Sequence, residues 1–161
     1  MKILGVDPGL NATGFGMVDI QAGKVKVLDA GSIEPNPKDL FQNRIAKVHT
    51  LLGSIIARHK PDVMVLEKLY AHHKHPITAS ILGHVRGVIC LLAVEQNVAL
   101  VELPVKRMRK ALVGNGNATK QQVQAFVKRL LHMENAQITL DTSDALGLAL
   151  GHAHMLRFKL L

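Results

Sequence analysis

Apolar and polar residues recur along this chain with two different periods, and the switches between them mark out its elements. Ile3-Leu4-Gly5-Val6-Asp7 reads as a short buried strand that runs into a Pro8-Gly9 turn. Gly14–Ile20 alternates as a second strand does, and Gln21-Ala22-Gly23 has the composition of a hairpin turn. Lys24–Ile33 alternates charged and apolar positions, which predicts a third, antiparallel strand with one solvated face. After the loop Glu34-Pro35-Asn36-Pro37 the period changes. Leu40, Phe41, Ile45, Val48, Leu51, Leu52, Ile55 and Ile56 are spaced by threes and fours, predicting an amphipathic helix that ends near His59-Lys60 before Pro61.

Val63-Met64-Val65-Leu66 is apolar throughout, as a central strand covered on both faces must be, and Glu67 closes it. A polar, histidine-rich loop spans Ala71 to His75, and Pro76 opens a helix carrying Ile77, Ile81, Leu82, Val85, Val88, Ile89 and Leu92. Val98–Leu103 is the next strand. Val105–Val113 and Lys120–Met133 read as helices separated by the turn Gly114-Asn115-Gly116-Asn117, and a last helix is predicted from about Ser143 to Arg157. Three leading strands followed by helix–strand alternation predict an α/β fold. Its sheet is mixed and five-stranded, with three antiparallel leading strands, then parallel strands, and helices on both faces. No repeat or linker interrupts the chain, so residues 1–161 are expected to form a single domain.

Composition narrows the class. With 48% hydrophobic and 20% charged residues, wholesale disorder is excluded. Cys90 is the sole cysteine, so no internal disulfide or multi-cysteine zinc site can form, which fits a reducing compartment. No apolar run reaches the roughly 18–20 residues that span a bilayer, and an acid and a turn stand where a signal peptide has its apolar stretch. The expectation is a soluble, cytoplasmic protein with no membrane partner. The balance of 20 Lys+Arg against 12 Asp+Glu gives a formal charge of +8, which points to a polyanion such as nucleic acid. That charge is segregated: Leu103 to Met133 has no acid but holds Lys106, Arg107, Arg109, Lys110, Lys120, Lys128 and Arg129.

Carboxylates being few, their positions matter. Asp7 and Glu67 each end a strand; on parallel neighbours both would project from the same sheet edge, where open α/β sheets bind ligands. Asp141 and Asp144 are three apart at the start of a helix and share a face. Four converging hard oxygen donors suit Mg²⁺ or Mn²⁺, and two such ions serve phosphodiester hydrolysis. Three of the acids also have a plainer reading, Asp141 and Asp144 as helix N-caps and Asp7 as a turn former; Glu67 is harder to dismiss, because an acid after four apolar residues is costly to bury unpaired. Gly9, Gly14 and Gly16 in Asp7–Gly16 are expected to permit positive φ and close approach of a bulky ligand. A glycine turn after a strand acid also occurs in actin-like ATPases, but 161 residues cannot supply the two domains those enzymes need.

Asp7-Pro8-Gly9 with Gly14-Phe15-Gly16, Glu67 after an apolar strand, Gly83-His84-Val85-Arg86-Gly87-Val88, Val113-Gly114-Asn115-Gly116 and Asp141-Thr142-Ser143-Asp144-Ala145-Leu146 occur in one order and spacing. In these segments, and over nearly its whole length, the chain resembles the RuvC family of Holliday-junction resolvases. The resemblance implies an RNase H-like fold, a homodimer, and four acids (Asp7, Glu67, Asp141 and Asp144) that hold two Mg²⁺ ions per subunit, with Mn²⁺ able to substitute. It implies paired symmetric nicks in four-way junction DNA and RuvA and RuvB branch-migration proteins as partners. DNA contacts of the family fall on Arg109, Lys120 and the aromatic Tyr70. Arg109 stands where lysine is common and Tyr70 where phenylalanine is. Lys68 replaces a neutral residue, and His72, His73 and His75 enrich a loop whose function the sequence leaves open. Two rivals stand beside this reading: a junction-binding module without activity, and an RNase H-like nuclease acting on ribosomal RNA.

Overall fold

The computed structural model describes residues 1–68 and 76–156. Five strands, β1 (Lys2–Asp7), β2 (Thr13–Gln21), β3 (Lys24–Ile33), β4 (Val63–Glu67) and β5 (Ala99–Leu103), form one sheet in the order β3-β2-β1-β4-β5. The β1–β2 and β2–β3 pairs are antiparallel; β1–β4 and β4–β5 are parallel. The mixed sheet expected from the order of elements is therefore present, and Lys24 and Lys26 mark the solvated face of its edge strand β3.

Side-chain alternation divides the core in two. Leu4, Val6, Met17, Met64 and Leu66 face α1 (Phe41–His59) and α2 (Pro76–Glu95). Ile3, Val18, Val63, Val65 and Leu103 face α3 (Val105–Val113), α4 (Lys120–Leu130) and α5 (Leu140–Met155). Each fully buried Leu or Met contributes roughly 1.5–3 kcal/mol through its removal from water, so both layers hold the sheet flat against helices.

The glycines of the first two strands serve a purpose other than the one expected. Gly9, Gly14 and Gly16 do not take positive φ; among the described glycines only Gly23 and Gly114 do. A Cβ at Gly5 would collide with the Ala145 carbonyl, one at Gly14 with the Asp141 carbonyl, and one at Gly16 would lie 2.7 Å from the Leu146 side chain. The close approach these glycines allow is that of α5, whose backbone lies directly on β1 and β2. The Pro8-Gly9 turn is closed by Thr13, whose hydroxyl donates to the Gly9 carbonyl at 2.6 Å.

Helix ends differ from the sequence expectation for identifiable reasons. α4 stops at Leu130 rather than Met133 because His132 is left-handed (φ 53) and Met133 N–H turns back to the Lys128 carbonyl. α5 begins three residues before Ser143: Thr139 is its N-cap, with its hydroxyl accepting from Thr142 N–H at 3.1 Å. Asp141 and Asp144 are therefore not caps, and only Asp141 lies in the first turn. Arg157, the expected end, lies outside the described residues. The apolar length of α2 was also underread: this 20-residue helix is long and apolar enough, by length and composition, to cross a membrane. It packs on the sheet with one face and leaves Ile77, Leu91 and Val94 exposed.

Candidate active site

The carboxyl ends of β1 and β4 deliver the first two acids. Their parallel register runs from Ile3 opposite Val63 to Val6 opposite Leu66, and Asp7 and Glu67 follow next on each strand. The two carboxyl groups meet in a hydrogen bond. Both point to the α5 side of the sheet, because Glu67 lies beside Leu103 of that core layer. Across from them, Gly14 and Gly16 on β2 let α5 settle closely onto the sheet, which brings Asp144 over the strand ends.

Burial and the crowding of negative charge act together on Asp7. Burial, the hydrogen bond to Glu67, and the charges of Glu67 and Asp144 push the Asp7 carboxyl up from 3.8 to about 8, with Lys120 pulling the other way. Lys120, the first residue of α4, places its ammonium 2.6 Å from an Asp144 oxygen. Burial would lower the Lys120 ammonium, but the hydrogen bond to Asp144 and the charges of Asp144, Asp7 and Asp141 outweigh it and hold it above its ordinary value. Asp144 is itself buried, 4% exposed, so without that cation its charge would be costly.

Asp7, Glu67 and Asp144 are thus brought together with Lys120. Asp141, half-buried on the preceding turn of α5, is close enough to act on Lys120 but lines a neighbouring cavity of about 410 Å³ with Gly9, Asn11 and Arg44. Among the described residues no three carboxylate, imidazole or thiol groups are placed so that they could hold a metal ion. The donor chemistry nevertheless fits hard divalent cations: the groups that converge are carboxylate oxygens, and the Lys120 ammonium stands as a counter-cation on Asp144.

Arg109 is half-buried on α3, with its Nε lacking a hydrogen-bond partner. Lys68 is exposed, and its backbone N–H extends the β4–β5 ladder to Leu103. Tyr70, His72, His73 and His75 lie outside the described residues. Two further residues of the site escaped the sequence pattern. Thr13 fixes the turn after Asp7. Arg86, buried on α2, donates to the Glu67 carbonyl and to a Glu102 carboxylate oxygen. A lone arginine inside an apolar run was its signal. Cys90 is half-buried in the α2 core layer and far from nucleophilic use.

The mixed sheet flanked by helices, with acids at the shared end of β1 and β4 and on the helix crossing them, defines an RNase H-like enzyme scaffold. The family described as crossover junction endodeoxyribonuclease RuvC matches residues 3–152. Curated relatives of that name come from Rhodopirellula baltica, 37% identical over 93% of this chain and 85% of the relative, and Alkaliphilus metalliredigens, 35% identical over 100% and 98%. The chain belongs to the RuvC family. Its fold also superposes on Thermus thermophilus RuvC, with a TM-score of 0.88, 24% identity and coverage of 99% and 98% of the two chains. That protein in complex with Holliday junction substrate gives a TM-score of 0.86, 23% identity and coverage of 98% and 96%.

Proposed function

We propose that this chain is a metal-dependent endodeoxyribonuclease that resolves four-way DNA junctions by paired, symmetric nicks. The observation that carries the reading is the meeting of the Asp7 and Glu67 carboxyls at one sheet edge beneath Asp144. Family membership supports the junction as substrate.

Asp7, Glu67, Asp141 and Asp144 are the residues that would hold two Mg²⁺ ions, for which Mn²⁺ can substitute. When bound, such ions supply Lewis acidity and a water of lowered pKa. The chain's own contribution is placement. Asp7 and Glu67 are fixed by neighbouring strands, and Asp144 by a helix locked against glycines, so the donors are preorganised on rigid elements. Lys120 neutralises Asp144 and offers an ammonium to the phosphate edge. Lys106, Arg107 and Lys110 project from α3 into solvent beside that edge and bind junction arms through phosphates, with Arg109 and Tyr70 as further contacts.

A second copy of the chain would bring a second site in the symmetric arrangement that paired nicking needs. The exposed Ile77, Leu91 and Val94 of α2, with Gly83 and Gly87 open to solvent between them, form the face on which we place that copy. RuvA and RuvB are the proposed partners and the cytoplasm the proposed location. The test is a nicking assay on a mobile synthetic four-way junction with Mg²⁺. Two cuts related by two-fold symmetry are expected; uncut junction at saturating protein contradicts the reading.

A further inference from the structure

Among the described residues two charged side chains are buried, and they lie on opposite sides of the sheet: Asp144 in the acidic site, and Arg86 behind it. Arg86 sits in the middle of α2, next to Val85 and one turn before Ile89, both fully buried. A cation in such surroundings costs several kcal/mol unless it is paired and hydrogen-bonded. Packing alone gives no reason for it, since an apolar side chain of similar length would fill the same space.

The guanidinium has two partners, at the carboxyl ends of β4, which carries Glu67, and of its neighbour β5. Nη1 donates to the Glu67 carbonyl, and Nη2 donates to Glu102 Oε1. Glu102 stands beside Leu66 in the β4–β5 register and so shares its face of the sheet. The Glu67 side chain leaves from the other face to meet Asp7. Arg86 therefore grips the backbone of Glu67 from behind, at the carboxyl end of β4, while the Glu67 carboxylate works in front.

We infer that Arg86 is a positioning residue for the nuclease: it fixes the Glu67 carboxylate against Asp7, and Glu102 holds the guanidinium in place. The inference rests on the metal-dependent nuclease reading above. The planar fork satisfies both acceptors at once, which a lysine could not do.

The experiment compares the full-length wild type with Arg86→Met and Glu102→Ala. Junction cleavage with Mg²⁺, junction affinity with Ca²⁺, Mn²⁺ affinity by titration calorimetry, and Tm are measured for each. Arg86→Met is expected to lose ~10- to 100-fold in cleavage rate and in Mn²⁺ affinity, as when the support of a metal ligand is removed, with junction affinity unchanged. Glu102→Ala is expected to lose less in the same two quantities. Wild-type cleavage and Mn²⁺ affinity in Arg86→Met overturn the inference, as does a loss confined to Tm or junction affinity. Where Arg86→Met fails to fold, Glu102→Ala decides: wild-type Mn²⁺ affinity overturns the inference and weakened affinity upholds it. A wild-type chain that cuts no junction removes the nuclease reading and this inference together; a wild type that cuts no faster than Arg86→Met removes this inference alone.

Discussion

Helices α5 and α2 are both rich in apolar residues, yet the fold uses them in opposite ways. In α5, eleven of sixteen residues are buried, because the helix is wedged between the glycine-lined β1–β2 surface and helices α3 and α4. In α2, five of twenty are buried, and Ile77, Leu91 and Val94 face solvent. Small residues explain the difference at α5: Gly5, Gly14 and Gly16 on the sheet, and Gly147 and Gly151 beneath Met108, leave no stand-off between layers. On α2, by contrast, Gly83 and Gly87 meet nothing within 4 Å. Hydrophobicity alone says that a helix must be covered; the glycines' surroundings say whether this chain covers it. The covered helix carries two of the four acids, Asp141 and Asp144, and the uncovered one is where we propose that a second copy docks.

That contrast can be broken most forcefully at the tight side. Gly14→Val would drive a branched side chain into the backbone of Asp141. Tm should fall by many degrees, or the chain should fail to fold, and cleavage should be lost with it. A variant with wild-type Tm by circular dichroism would mean that α5 does not rest on β2 as described. At the open side, Leu91→Glu with Val94→Glu should leave Tm close to that of an isolated subunit but split the assembly. Sedimentation velocity should show a monomer in place of a dimer, whereas an unchanged dimer places the contact elsewhere.

The acidic pocket adds a pH dependence whose sign is fixed by Asp7. Its folded value of about 8 lies above the 3.8 of an ordinary Asp, so the folded state binds that proton more tightly. The stability this gives is fully present below pH 3.8 and is lost as pH rises through about 8. In EDTA, Asp7→Asn should therefore have a higher Tm than wild type at pH 8, with the gap closing toward pH 4. A gap that widens toward acid would show that Asp7 is not crowded by Glu67 and Asp144. The smallest effect belongs to Gly83→Ala on α2. With open space around it, the substitution should stabilise an isolated subunit by about 0.5–1 kcal/mol through helix propensity; marked destabilisation of a monomeric variant in urea titrations would show that the space beside Gly83 is filled from within the chain.

Much of this architecture was legible in the pattern of residues, because each strand and amphipathic helix has its own period. The mixed five-stranded sheet followed from that; the strand order, and with it the pairing of β1 with β4 that sets Asp7 beside Glu67, came from the structure. Three further things did not follow. The glycines of β1 and β2 were read locally, as turn and ligand-approach residues, because a stretch of sequence does not show that a distant helix will lie on it. Thr139 was passed over as the cap of α5 because the acids that follow drew the boundary to Ser143. Arg86 and Lys120 carry charge in the sequence, but only the packing of α2 behind β4 and of α4 beside α5 gives those charges their partners. Lys120 was expected on DNA, and its ammonium is found on Asp144.

The most direct test of the whole account is single-turnover cleavage of a four-way junction by wild type and Asp7→Asn side by side, with junction affinity measured in Ca²⁺. The account predicts symmetric, Mg²⁺-dependent cuts by wild type, and none above background from Asp7→Asn at equal or tighter binding. Cleavage by Asp7→Asn at the wild-type rate, or by wild type in EDTA, would contradict it.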